Sequence, residues 1–76
     1  MARIRSIEHG TQNVKAHPSE VDCFVQDFEA ADGTKLLHLS TFGSSDRASQ
    51  PKSSQSIQLD REQAMVLRDW IDNVFG

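Results

Sequence analysis

The sequence predicts an α+β fold: an antiparallel β-meander of three to four strands, followed by one C-terminal amphipathic helix packed on one sheet face. Two runs rich in apolar and β-branched residues, 20–29 and 35–42, flank the turn signal Asp32-Gly33. A third short run, 54–59, leads without a linker into an amphipathic segment. The 76 residues contain no repeat and no linker, so we expect a single small domain over residues 1–76.

The N-terminal third contains one weak strand and one long loop before the hairpin. Residues 2–8 are typical of a weak strand. Residues 9–19 are predicted to be a loop, because Pro18 has no amide hydrogen and disfavours a helical conformation at His17. In the strand 20–29, alternate residues fall on opposite faces of the sheet.

The register of the hairpin decides which residues share a face. A two-residue Asp32-Gly33 turn would pair Phe28 with Leu37, whereas a three-residue turn would exchange partners between the faces. In either register both faces carry apolar groups, and one helix covers only one of them. We therefore expect a dimer mate, a ligand or nucleic-acid bases on the other face.

The C-terminal third carries the clearest helix signal. After a polar loop over 43–53 and the strand 54–59, Asp60 is a good N-cap residue, and Gln63 completes a pattern like a capping box. An apolar stripe at helical spacing then follows: Ala64, Leu67, Trp70, Ile71, Val74 and Phe75. We predict that Trp70, Val74 and Phe75 form a dimer or partner interface, because so small a domain without staples favours a homodimer.

Composition limits the class of protein. The net charge is −3, with Lys and Arg scattered along the chain, so an overall basic nucleic-acid-binding character is absent. The single cysteine excludes an internal disulfide and fits a reducing compartment. No apolar run is long enough for a membrane span, and no signal-peptide core is present. We expect a cytoplasmic protein without a membrane partner.

No set of residues points to catalysis. Cys23 is interpreted as a small buried hydrophobic residue in a strand, because no motif supplies a base or an oxyanion hole. His17, Glu20, Asp22 and His38 lack the short spacings of a zinc site. We therefore predict a protein that is not an enzyme, with no catalytic residue, no metal site and no cofactor.

The loop 43–55 is the best candidate site in the sequence. Arg47 and Lys52 supply cations within a serine-rich stretch, which is chemistry that suits phosphate oxygens, although an ordinary polar connection explains the same composition. With Lys35 added as a third phosphate contact and Phe42 as a stacking residue, these four residues are the predicted nucleic-acid-binding set.

A resemblance to a known family supports this assignment. The stretch 57–67, Ile-Gln-Leu-Asp-Arg-Glu-Gln-Ala-Met-Val-Leu, resembles the C-terminal signature of the single-stranded-DNA-binding transcriptional coactivators, which include positive cofactor four and its bacterial relatives. Ile57, Leu59, Glu62, Gln63 and Leu67 stand at the matching places. The resemblance implies a four-stranded antiparallel sheet with one helix, dimerisation through helices, and single strands bound on the sheet.

A second resemblance covers most of the chain. The segments 17–23, 41–44 with Arg47, and 54–60 are similar to short, uncharacterised bacterial proteins found on mobile elements. This similarity implies a self-contained domain and brings no activity with it.

Two functions therefore remain as hypotheses. The first is a small, dimeric nucleic-acid-binding protein that prefers single-stranded DNA or RNA. The alternative is a protein-interaction module, such as a mobile-element-encoded inhibitor or adaptor of a host protein, which the acidic balance and the uncovered sheet face favour.

Overall fold

The computed structural model describes residues 1–43 and 53–76, which form a four-stranded sheet and one helix. The elements are β1 (Ala2–Arg3), β2 (Asp22–Glu29), β3 (Lys35–Phe42), β4 (Ser53–Leu59) and α1 (Arg61–Phe75). The α+β class predicted from the sequence is confirmed, and α1 packs on the sheet against β3 and β4.

The strand order is β1-β4-β3-β2. Strands β2, β3 and β4 form an antiparallel meander, whereas β1 pairs with β4 in parallel, so the sheet is mixed. The first strand is shorter than the predicted span 2–8: it ends at Arg3, with one further bond from the Ile4 amide to the Gln58 carbonyl oxygen, at 2.8 Å.

The β2–β3 hairpin has a three-residue loop. The Ala30 amide donates to the Thr34 carbonyl oxygen at 2.8 Å, and the Gly33 amide donates to the Ala30 carbonyl oxygen at 2.9 Å. Gly33 has a φ of 90°, a left-handed value that glycine adopts without a Cβ penalty. Phe28 consequently pairs with Leu36, and the register calculated for a two-residue turn is wrong.

This register places the three phenylalanines of the sheet on one face, and Val25, Ile57 and three of the four strand leucines on the other. Residues paired across neighbouring strands share a face. We call one face the aromatic face. Its residues are Arg3, Asp22, Phe24, Gln26, Phe28, Leu36, His38, Ser40, Phe42, Ser56 and Gln58. The other, the aliphatic face, carries Ala2, Cys23, Val25, Asp27, Glu29, Lys35, Leu37, Leu39, Thr41, Gln55, Ile57 and Leu59.

The helix begins where the sequence predicted. The Asp60 side chain accepts a hydrogen bond from the Gln63 amide at 2.9 Å, which satisfies one of the unpaired donors of the first turn. Leu59, the residue before the cap, is 2 % exposed, whereas no residue of α1 is fully buried. Among the residues whose burial is described, Leu59 and Leu36, which is 3 % exposed, form the buried apolar core next to the start of α1.

The burial of Leu59 gives a stability prediction. Leu59→Ala should lower the free energy of unfolding by about 2–5 kcal/mol, because a fully enclosed side chain leaves a cavity. Ile57→Ala is the matched control: Ile57 lies on the same strand and face but is 39 % exposed, so its loss should be much smaller. Urea denaturation measures both, and equal losses would contradict the packing described.

The hairpin tip gives a pH prediction. The Thr34 amide donates to Asp32 Oδ1 at 3.0 Å, and this bond, with a second from the Thr34 side chain, lowers the pKa of the Asp32 carboxyl from 3.8. A lowered pKa means that the contribution to stability is present above the unfolded-state pKa and is lost as the pH falls through the native pKa. An NMR titration of the Asp32 carboxyl carbon measures the native value.

The variant Thr34→Val separates the two bonds at this tip. It removes the hydroxyl and keeps the amide, so the pKa of Asp32 should rise only part of the way back towards 3.8. A pKa of Asp32 at or above 3.8 in the unaltered protein would show that the hydrogen bond at the tip is not formed.

Candidate nucleic-acid interface

A row of four polar side chains crosses the aromatic face from one edge of the sheet to the other. Gln26 pairs with His38, His38 with Gln58, and Gln58 with Arg3. Neighbouring strands lie about 4.8 Å apart, so the row spans about 15 Å. It combines amide, imidazole and guanidinium groups, which offer hydrogen-bond donors at every position.

The centre of this row is held by a hydrogen bond. Gln58 Nε2 lies 3.1 Å from His38 Nδ1. With the amide donating, Nδ1 is the acceptor, so the neutral ring carries its proton on Nε2. The ring of Phe28 meets the His38 ring edge-on, with 6.2 Å between the centroids. His38 is therefore oriented from two sides by groups of the same face.

Aromatic rings flank the polar row. Phe28 lies on the hairpin side, and Phe24 and Phe42 lie on the other side, in edge-to-face contact with 5.1 Å between their centroids. Phe24 is 60 % exposed, and Phe28 and Phe42 are half-buried. Between them, Ser40 is buried and pairs with Phe24 and Ser56. Phe24 is thus the exposed ring beside the polar row, whereas Leu36 and Ser40 on the same face are buried.

The structure does not bring the predicted site residues Lys35 and Phe42 together. They lie at opposite ends of β3, about 23 Å apart along the strand, and on opposite faces. Lys35 Nζ is 3.9 Å from Asp27 Oδ2, and Lys35 lines the same shallow hollow as Glu62 and Asp69. These carboxylates make the surroundings of Lys35 unfavourable for a phosphate. Phe42 is on the aromatic face, as a stacking role requires.

The other two predicted phosphate contacts, Arg47 and Lys52, lie outside the described residues. Their assignment therefore stays a prediction from the sequence.

The predicted dimer interface divides into two parts. The ring of Trp70 stacks on His9 of the same chain, with 5.3 Å between the centroids and 29° between the planes. Val74 and Phe75, one turn further on, are 61 % and 84 % exposed. Ile71, one turn earlier in α1, is 48 % exposed and adds to this apolar surface. Trp70 thus joins the N-terminal segment to α1, and the end of α1 stays uncovered in the single chain.

The expectation that Cys23 is buried is wrong. Its thiol is free and exposed, because β2 is an edge strand that α1 does not approach. Cys23 is on the aliphatic face and His38 on the aromatic face, so the two do not form a nucleophile–base pair. Among residues 1–43 and 53–76, no three His, Cys, Asp or Glu side chains cluster as a metal site would require. No described helix is long and apolar enough to cross a membrane.

None of the four members of the polar row is in the set predicted from the sequence: Gln26, His38, Gln58 and Arg3. A signal for two of them existed, because the three-residue turn pairs Gln26 with His38. The pairing of Gln58 with both His38 and Arg3 could not be read in the same way, since it depends on how β4 and β1 align in the sheet.

Comparison with known proteins adds no identification. No family model matches the chain, and searches of curated proteins and of solved structures find no match. The resemblances noted in the sequence therefore stay hypotheses, and function has to be argued from the surfaces described above.

Proposed function

We propose that the protein binds single-stranded nucleic acid on its aromatic face. The observation that carries the proposal is the polar row of Gln26, His38, Gln58 and Arg3 with aromatic rings on both sides of it. Single-strand binding combines stacking of bases on aromatic side chains with polar contacts to base edges and phosphates. A face that offers both, across about 15 Å of sheet, suits two or three unstacked nucleotides.

Each part of the face takes a definite role in this proposal. Phe24 is the main stacking platform because more than half of its surface is exposed, and Phe42 supports it edge-on. The Nε2–H of His38 and the amide of Gln26 donate to base edges. Arg3, exposed at the β1 end of the row, contacts a phosphate.

The electrostatics set the strength of this binding. Arg3 is the one Lys or Arg among the described residues of the aromatic face, which also carries Asp22 at the opposite edge of the sheet. Stacking would then supply most of the affinity, with a salt slope of about −0.7 for each phosphate neutralised. Arg47 and Lys52, if they take the phosphate contacts proposed from the sequence, would steepen that slope.

Phe24 and Val25 provide a matched pair of variants for this proposal. Both are 60 % exposed and adjacent on β2, but their side chains lie on opposite faces. Phe24→Ala should weaken binding of a fluorescein-labelled oligothymidine about tenfold, because a base stacked on an aromatic ring contributes about 1–3 kcal/mol. Val25→Ala should leave the affinity unchanged. Fluorescence anisotropy at two salt concentrations measures both affinity and slope.

The results that would contradict the proposal are equally specific. An unaltered, folded protein that fails to bind at low salt would exclude it. Equal losses in Phe24→Ala and Val25→Ala would place the nucleic acid elsewhere. A duplex of the same sequence should bind more weakly than the single strand, since paired bases cannot stack on Phe24.

We also propose that the protein acts as a homodimer through the end of α1. The support is the exposed apolar surface that Ile71, Val74 and Phe75 form in the last turns of α1. A domain of this size buries about 60 % of its unfolded surface, so covering that patch favours association.

Two variants with the same charge change test the dimer. Val74→Asp should convert the dimer to a monomer, because a carboxylate in an apolar interface is strongly unfavourable. Asn73→Asp, on an exposed neighbouring position, should leave the dimer intact. Light scattering coupled to size-exclusion chromatography gives the molar masses, and a monomeric unaltered protein would exclude the assembly.

A further inference from the structure

The outer edge of β2 is an open template for another strand. β2 is eight residues long, pairs with β3 without a bulge, and forms the end of the sheet. The Ala30–Thr34 pair fixes the alternation of hydrogen bonds, so the amides of Cys23, Val25, Asp27 and Glu29 point away from β3. No residue in 1–43 or 53–76 pairs with this edge in the sheet.

The side chains of β2 would pack on an added strand. The exposed Phe24 and Val25 leave apolar surface on both faces next to the edge. The helix does not compete for this place, since no Cα of α1 comes within 8 Å of a Cα in β2. A strand added here would gain main-chain hydrogen bonds and cross-strand contacts together.

The chain that forms this edge is predominantly acidic. Between Ala16 and Thr34 the chain has no Lys or Arg and five acidic residues: Glu20, Asp22, Asp27, Glu29 and Asp32. Lys15 and Lys35 flank this stretch in the sequence, and Lys35 on β3 makes a loose, exposed contact with Asp27. The edge therefore attracts a basic chain and repels phosphates.

A second copy of this protein fits the edge poorly. Two β2 strands paired antiparallel would bring together two stretches of chain that each carry five acidic residues and no Lys or Arg. The like charges of the two stretches repel each other. We infer that the outer edge of β2 takes an extended, basic segment of another protein by strand addition.

The acidic residues have a competing explanation, because charges on an edge strand can serve only to prevent aggregation. That explanation and the inference differ in what they expect. Charges that serve only to prevent aggregation should keep every peptide from binding at the edge. A docking edge should bind basic strands and not acidic ones. The inference is carried by the main-chain edge of β2 and its acidic residues, so the presence or absence of oligonucleotide binding does not decide it, although Phe24 is shared by both surfaces.

A pair of synthetic peptides tests the docking edge. The probe is a capped seven-residue peptide in which Lys alternates with Val and Thr, and its control carries Glu in place of Lys. In an ¹H–¹⁵N NMR titration, the Lys peptide should shift the amide signals of residues 22–29 and the Glu peptide should not. Shifts of equal size from both peptides, shifts confined to other residues, or no shifts would overturn the inference.

Backbone and charge variants sharpen the assignment. Val25→Pro removes an outward amide and no β2–β3 hydrogen bond, so it should abolish binding, whereas Val25→Thr keeps the amide and should bind normally. Independently of whether the proline variant folds, the double variant Asp27→Asn with Glu29→Gln should weaken the Lys peptide by roughly fivefold. Unchanged affinity in that double variant would show that charge does not select the partner.

Discussion

The register of the β2–β3 hairpin is the constraint on which the surfaces of this protein depend. The three-residue loop closed by Gly33 sets Phe28 against Leu36, and the period of two along each strand carries that choice to the other end of the sheet. With a loop one residue shorter, the pairing of β3 with β2 would shift by one residue. Each β3 side chain would then share a face with the β2 side chains that now lie opposite to it. The aromatic face and the aliphatic face are therefore both consequences of one turn.

The helix depends on the sheet more than on its own sequence. Its N-terminus is capped by Asp60, and the adjacent Leu59 is enclosed, but its last turn carries Val74 and Phe75 into solvent. An isolated helix of fifteen residues is marginal in water, so the packing near β3 and β4 holds it in place. The same arrangement leaves β2 out of reach of α1, which packs near β3 and β4.

The two proposed surfaces differ in chemistry as well as in position. The aromatic face carries rings, amides and one described cation, a combination suited to unstacked bases with few phosphate contacts. The edge of β2 carries acidic groups and open main-chain donors, a combination suited to a basic strand. Phe24 belongs to both surfaces, since it projects from the edge strand onto the aromatic face. Occupation of one surface would therefore affect the other.

The sequence by itself determined the α+β class, the span of β3, the cap at Asp60 and the apolar stripe of α1, because each follows from local periodicity or from one side chain near the backbone. It also indicated that both faces of the sheet carry apolar groups. The tertiary structure decided the rest: the parallel pairing of β1, the separation of Lys35 from Phe42, the exposure of Cys23, and the row from Gln26 to Arg3. These features join strands that are distant in the chain, and the alignment of such strands is fixed by packing and ladder hydrogen bonds, which no local pattern encodes.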